Sequence, residues 1–505
     1  MTAEDGVAAE LLHDLLDRRA ASDPDAVAVS AAGGSVTYGQ LREASRRLAS
    51  WLITRGVRPR DRIAISLPVS VHVPALLFAV SRVGAAFCVL HEQVRDRALD
   101  HVLDDLEPVL LIGSDDDGVA AAKARGIAVE SLADVADGAV TASPVELQAP
   151  SPRDVVCLIY TSGSTSRPKA VITEHRQLVF VARAIHERIG YTKGDTVFSA
   201  LSLSFDYGLY QLFLTTLGGA RLWWAAAEEG GGALLRALTG ARATVLAAMP
   251  AMAETLVWLL ERTTAPPSAL RLLTTTGAAM KPQVAAALRQ ALPGLRLQIM
   301  YGLTECKRVS IMAPDEDLRH PGASGRPLSG TEVVVTGPDG ELLAPGGFGE
   351  FVVRGPHVMS GYWRREDLTA ERFRFAEDGT RELRTGDYGW IDEDGYLHVD
   401  GRRDDIYKER GFRVSTTEVE AAAHHLPGVR GAAVVPPGDT TGPHAVLVVA
   451  GPVKPRDVLR DLRKEIEPFK VPRECVVLDA LPLSGNGKVA RAELARLLAD
   501  RADAT

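Results

Sequence analysis

From Leu178 to Thr304 the chain alternates segments of helical period with short apolar runs, a pattern that leaves few folds open. Helices are predicted at Leu178–Ile189, Gly208–Leu217, Gly232–Leu238, Met252–Glu261 and Gln283–Leu292. Candidate strands lie between them at Thr196–Leu201, Arg221–Trp224, Thr244–Ala248 and Leu270–Thr275. Short, largely apolar runs of this kind suit strands covered by helices on both faces. Gly230, Gly231 and Gly232 read as a loop, not as a cofactor signature.

The amino-terminal part has the same texture. A strand near Ser35 leads into helix Tyr38–Gly56, strand Arg62–Leu67 and helix Val73–Gly84, and strands Ala85–Leu90 and Val109–Ile112 flank helix Arg97–Leu106. Residues 115–152, rich in Asp, Ala and Pro, are expected as surface structure. From Gly325 to His398 the runs become short and β-like (Glu332–Val335, Gly349–Arg354, Gly395–Val399), as in a small barrel or sheet. Beyond a boundary at Asp400–Asp405, helices Glu418–His425 and Pro455–Glu465 alternate with strands Ala432–Val435, His444–Val449 and Glu474–Leu478. The expected architecture is α/β: a large N-terminal domain, residues 1–400, of two layered α/β subdomains plus a small β-barrel-like subdomain, then a small α+β domain, residues 401–505.

One loop carries chemistry. In Tyr160-Thr161-Ser162-Gly163-Ser164-Thr165-Ser166-Arg167-Pro168-Lys169, five serine and threonine hydroxyls, a glycine and a lysine follow the apolar run Val155–Ile159. Hydroxyls and backbone N–H groups can wrap a phosphate where Gly163 permits close approach, with Lys169 as a point charge. A Walker loop is absent. Taken alone, the run also fits a solvated Ser/Thr linker.

Composition narrows the classes. The 505 residues, with 46% apolar and 24% charged, match soluble globular proteins and call for more than one core. A net charge of −8 argues against a nucleic-acid partner. Cys88, Cys157, Cys306 and Cys475 lie too far apart in sequence for a C-x-x-C metal or redox motif, so a reducing, cytoplasmic setting is expected. The acidic start, Met1–Asp5, has no apolar leader, and the longest apolar stretch, Val73–Val80, is too short to span a bilayer, so no membrane association is expected.

Four further segments complete a set: Tyr301-Gly302-Leu303-Thr304-Glu305, Arg384-Thr385-Gly386-Asp387, Gly401-Arg402-Arg403-Asp404 and Gly485-Asn486-Gly487-Lys488. With the hydroxyl loop they resemble the adenylate-forming superfamily of acyl-CoA ligases, firefly luciferase and nonribosomal peptide synthetase adenylation domains. The resemblance runs from Val36-Thr37-Tyr38-Gly39-Gln40-Leu41 to Lys488, with the motifs in family order. It implies an enzyme that joins a carboxylate to the α-phosphate of ATP, releasing pyrophosphate, and then passes the acyl group to a thiol. ATP and Mg²⁺ are the implied cofactors.

The same resemblance implies roles for individual residues. Thr161, Ser162, Gly163, Ser164, Thr165 and Lys169 would cradle pyrophosphate. Thr304 would touch the α-phosphate and Glu305 would hold Mg²⁺, a hard cation that prefers oxygen. Tyr301 would stack on adenine opposite Gly277, Ala278 and Ala279. Asp387, placed in a Gly-Asp-Tyr-Gly turn, would take the ribose hydroxyls with help from Arg402. Asp404 would be the hinge of a mobile C-terminal domain, and Lys488 would bridge carboxylate and phosphate in the first half-reaction. Ser166 departs from the glycine usual there, and Leu303 is ligase-like where peptide synthetases carry proline.

Asp206 matches the position that meets the α-ammonium group in amino-acid adenylation domains. Among apolar neighbours a carboxylate needs a cation, which a substrate amine supplies; equally, Asp206 suits an N-cap of the helix expected from Gly208. Tyr207, Tyr210, Thr274, Thr276, Met300 and Val309 are expected pocket walls. Lys307 and Arg308 suit either a second acidic group on the substrate or solvent. The seventeen residues after Lys488 contain no serine, so the acceptor thiol is expected in trans. These readings point to activation of a small carboxylic or amino acid for a separate carrier protein; the alternatives are an acyl-CoA ligase using coenzyme A and a non-enzymatic nucleotide binder.

Overall fold

The computed structural model describes residues 10–31, 34–91, 94, 96–113, 116–161, 168–264, 266–267, 269–402, 406–409, 412–438, 441, 444–466, 470–483 and 489–502. The chain divides into two compact units, residues 1–333 with 352–384 and residues 334–351 with 385–505.

The first unit holds two sheets. In the nine-stranded one, strands Thr196–Ser199, Arg221–Trp224, Val245–Ala248, Leu272–Thr275 and Arg296–Tyr301 run parallel. The order is 326–327, 310–311, 296–301, 272–275, 245–248, 196–199, 221–224, 27–31 and 34–37. The alternation of apolar runs with helices dictates this, because parallel neighbours need a crossover helix to bring the chain back. Helices Pro250–Leu260 and Pro282–Ala291 each begin on a proline, where a missing N–H costs nothing. Leu234, Leu238, Leu246, Leu256, Leu273 and Leu288 form the core beneath them.

The six-stranded sheet has the order 128–130, 110–113, 62–66, 86–89, 155–161 and 169–174. Its last two strands are antiparallel, with Thr161 in register with Lys169 across the hydroxyl loop. Thr37 caps helix Tyr38–Thr54 by accepting from the Gln40 N–H while the Gln40 side chain returns to the Thr37 N–H.

In the second unit, the end of strand Arg381–Ile391 pairs antiparallel with Leu397–Arg402. Strands Gly431–Val435, Val446–Ala450 and Glu474–Leu478 form a sheet packed on helices Thr416–His424 and Pro455–Glu465 through Val419, Val434, Leu447 and Leu462.

Three expectations need correction. Residues 115–152 are more regular than surface structure: helices Asp116–Ala124 and Leu132–Thr141 bracket strand Ala128–Glu130, which extends the six-stranded sheet. The Arg384–Asp387 motif is no turn but part of an eleven-residue strand, whose alternating burial is obscured in sequence because its inward positions include Thr385, Asp387 and Gly389. The helix expected from Gly208 starts two residues earlier, at Asp206.

Candidate active site

Strand Arg296–Tyr301 ends in a tight loop that folds back on itself. The Cys306 and Lys307 N–H groups both donate to the Leu303 carbonyl, and the Val309 N–H donates to Tyr301 O at 2.9 Å. Lys307 takes a left-handed φ of +66° to close the loop. Gly302 is required by the closure, since a Cβ there would sit 2.4 Å from the Lys307 carbonyl oxygen. The result gathers Tyr301, Thr304, Glu305, Lys307 and Arg308 at the carboxyl end of the parallel strands, where open α/β sheets bind ligands.

Glu305 is buried. Its Oε1 accepts from the Tyr362 hydroxyl at 2.6 Å and from Arg372 Nη1 at 3.2 Å. The segment 360–363 bonds to strand Lys169–Glu174, with Trp363 N donating to Ala170 O and Ile172 N to Gly361 O, and so delivers Tyr362. Lys169 Nζ lies 4.0 Å from the centroid of the same ring, a cation–π distance. Burial and the Glu305 carboxylate hold the Tyr362 hydroxyl protonated by raising its pKa. Tyr362 thus links the lysine after the hydroxyl loop to the predicted metal ligand. Neither Tyr362 nor Arg372 was flagged by the sequence; the only signal was an aromatic pair after Gly361.

Among the described residues no group of three or more His, Cys, Asp or Glu is placed to hold a metal. A Mg²⁺ ion at Glu305 would then complete its shell with nucleotide phosphate and water, an arrangement Mg²⁺ favours.

A second cluster lies around Asp206, 4% exposed at the first residue of helix Asp206–Gly218. It is not the N-cap: that position is Phe205, and Asp206 Oδ1 instead accepts the N–H of Tyr207 at 2.9 Å. Asp206 Oδ2 faces Arg308 Nη1 at 3.8 Å. The Arg308 guanidinium also stands 5.0 Å from the Tyr207 ring centroid, and Tyr207 in turn hydrogen-bonds Thr274 through both the carbonyl, at 2.6 Å, and Oγ1, at 2.8 Å. Met300 and Val309 are buried, as are Tyr210 and Thr276, whose hydroxyls have no hydrogen-bond partner among the described residues. Solvent is therefore the wrong reading for Lys307 and Arg308: they are 1% and 4% exposed. The strand-end loop turns them inward, which no helical or strand periodicity encodes.

After strand Leu272–Thr275, Gly277, with φ +90°, is half-buried, and Ala278 and Ala279 are exposed. Thr161, Tyr301 and Thr304 are half-buried. In the second unit, buried Asp387 is in register with Arg402 on the neighbouring strand, and its N–H donates to Thr385 Oγ1 at 3.0 Å. Ser162, Gly163, Ser164, Thr165, Asp404 and Lys488 lie outside the described residues.

The family model of AMP-binding enzymes matches residues 16–363, and that of the AMP-binding enzyme C-terminal domain matches residues 418–488. A feruloyl-CoA synthase of an Amycolatopsis species is 33% identical over 489 residues, covering 95% of this chain and 97% of its own. The chain spans only 21% of a dimodular nonribosomal peptide synthase of Bacillus subtilis (strain 168), which is 30% identical over 502 residues and covers 96% of this chain. Among solved structures, VinN in complex with L-aspartate is 37% identical with a TM-score of 0.72, covering 78% of this chain and 99% of its own. ATP-bound MatB from Rhodopseudomonas palustris is 28% identical with a TM-score of 0.86, covering 97% and 99%.

Proposed function

The chain belongs to the AMP-binding enzyme family, as an ATP-dependent, AMP-forming ligase that activates a carboxylic acid, and from that premise we propose that its acid is an amino acid delivered to a carrier protein. The observation that carries the proposal is Asp206, a carboxylate 4% exposed among apolar and aromatic side chains. Burying a carboxylate is costly unless cations and N–H groups surround it. Arg308 at 3.8 Å is beyond hydrogen-bond reach, so a substrate ammonium group adds a closer partner. The likeness to VinN, crystallised with L-aspartate, supports an amino acid.

In the proposed reaction the substrate carboxylate oxygen attacks the α-phosphorus of ATP, and pyrophosphate leaves. The hydroxyl loop with Lys169 receives the pyrophosphate charge, Thr304 steadies the α-phosphate, and Asp387 with Arg402 holds the ribose. Mg²⁺ on Glu305 supplies charge neutralisation when bound. Lys488, carried by the domain 401–505 and swung about Asp404, balances the negative charge that accumulates where two anions meet. A phosphopantetheine thiolate of a separate carrier protein then attacks the acyl carbon and AMP leaves. The enzyme works in the cytoplasm, without a nucleic-acid or membrane partner.

A second reading keeps the adenylate and replaces the carrier protein by coenzyme A. The likeness to feruloyl-CoA synthase along 97% of that chain favours it, as does Leu303. ATP–pyrophosphate exchange over paired amino acids and their deaminated analogues, followed by acyl transfer to carrier protein or coenzyme A, separates the two. Exchange confined to acids without an amine would overturn the amino-acid reading. Lys488→Ala is expected to lose exchange by at least about 100-fold, a transition-state effect of ~2.7 kcal/mol, while still binding ATP.

A further inference from the structure

Two cations, Lys307 and Arg308, are buried in one loop, and Arg308 faces the carboxylate of Asp206 at 3.8 Å. Glu305, the other nearby acid, is held by Tyr362 and Arg372. The pocket therefore carries one positive charge in excess among these three groups, and the two cations are not equally engaged. Arg308 donates from Nη1 to the Lys307 carbonyl at 2.6 Å and faces both Asp206 and the Tyr207 ring. Lys307 Nζ has no hydrogen-bond partner among the described residues, and neither does Arg308 Nε.

Lysine and arginine side chains only donate, so what these atoms lack is an acceptor. A buried ammonium without an acceptor is among the costliest arrangements a protein can hold, and it persists where a ligand completes it. Lys307 is 1% exposed and directly precedes Arg308, whose Nη1 stands 3.8 Å from Asp206 Oδ2, so both cations belong to the loop that meets this carboxylate. The Tyr210 hydroxyl, buried on helix Asp206–Gly218, also has no hydrogen-bond partner among the described residues. The missing group is an anionic acceptor.

We infer that the substrate is an amino dicarboxylic acid whose second carboxylate is received by Lys307, with Arg308 standing between that carboxylate and Asp206. The inference rests on the amino-acid reading above. One carboxylate goes to the α-phosphate, the ammonium to Asp206, and the second carboxylate to Lys307; the pocket and its ligand then sum to zero charge. A neutral amino acid leaves Lys307 buried and unanswered, which sets the discrimination.

The test is pyrophosphate exchange by the full chain with aspartate, glutamate and 3-aminopentanedioate, each set against its monoamide and the methyl-terminated isostere. Wild type is expected to favour at least one diacid over its monoamide by 100-fold or more in kcat/KM. Lys307→Met should lower that diacid at least 100-fold and raise the neutral isosteres, which no longer leave a buried charge unanswered, with no comparable change in the KM for ATP. Lys307→Arg, which keeps the charge, should retain a tenfold or greater preference, and the wild-type comparison needs no variant to fold. Equal use of diacid and amide by wild type overturns the inference, as does a Lys307→Met defect shared by all acids or seen in the KM for ATP. Exchange with neutral amino acids but no diacid defeats this inference alone, whereas exchange with no amino acid of any kind defeats the reading beneath it.

Discussion

The guanidinium of Arg308 stands 3.8 Å from the Asp206 carboxylate, both side chains 5% exposed. The pair joins the strand-end loop to the first turn of helix Asp206–Gly218, so the proposed acid pocket is built from segments about a hundred residues apart. Asp206 also gains from the helix N-terminus, where the partial positive charge of free N–H groups favours a carboxylate. At 3.8 Å the pair is longer than a hydrogen bond, which leaves Asp206 able to draw an ammonium group closer.

Asp206→Asn should lower kcat/KM for amine-bearing substrates by about 100-fold, the scale of one lost charge-assisted hydrogen bond of ~2–3 kcal/mol. The deaminated analogue should change less than threefold. Steady-state pyrophosphate exchange with the two acids checks this, and equal losses would remove the ammonium contact.

Tyr362→Phe takes the 2.6 Å hydrogen bond from Glu305 and leaves the ring under Lys169. The carboxylate is then freer to turn away from a metal. We expect the Mg²⁺ concentration for half-maximal exchange to rise about three- to tenfold, consistent with the ~1 kcal/mol of a positioning bond, and the melting temperature to fall slightly. An unchanged Mg²⁺ titration would separate Tyr362 from Glu305 function.

Gly302→Ala places a Cβ 2.4 Å from the Lys307 carbonyl oxygen and 2.8 Å from Arg308 Cα, both backbone atoms that cannot swing aside. A destabilisation of about 1–3 kcal/mol is expected from the overpacking. Because Lys307 and Arg308 must shift, acid activation should fall at least tenfold while nucleotide binding, read by AMP titration, falls less. A variant with native stability and activity would mean the loop has slack.

Three histidines make the fold acid-sensitive. Burial lowers His13 to about 4 and both His175 and His357 to about 3, from 6.5. Each is neutral in the folded chain, whereas the unfolded chain binds a proton below pH 6.5. Stability is therefore full above pH 6.5 and declines as pH falls toward the folded values, by up to ~1.4 kcal/mol per pH unit for each histidine. His357, with neither ring nitrogen partnered among the described residues, is the best probe. His357→Leu should unfold at pH 5 with a free energy about 2 kcal/mol nearer its pH 7.5 value than wild type does. Urea denaturation at the two pH values measures it; an identical pH slope would show that the ring is not the titrating group.

Much of the fold was legible because its elements announce themselves locally. Strands Arg221–Trp224, Gly349–Arg354 and Glu474–Leu478 and helix Pro455–Glu465 fall where the apolar periods put them. Strand Arg381–Ile391 was missed because its sequence, Arg-Glu-Leu-Arg-Thr-Gly-Asp-Tyr-Gly-Trp-Ile, mixes charges and glycines that also spell a turn. Its buried positions, Leu383, Thr385, Asp387 and Gly389, include only one aliphatic side chain, so the alternation is invisible to hydropathy.

The order of the motifs, the hydroxyl loop and the run Tyr301–Glu305 were properties of the chain as written, since glycines, hydroxyls and a lysine in fixed spacing constrain backbone and charge locally. Which side chains meet was decided by tertiary structure. Tyr362 reaches Glu305 only because segment 360–363 lies along strand Lys169–Glu174, and Lys307 and Arg308 become buried only because a left-handed residue turns the loop inward against Asp206. Pairing across a sheet and burial of charge are set by the energy of contacts between distant segments, and no window of neighbouring residues contains that energy.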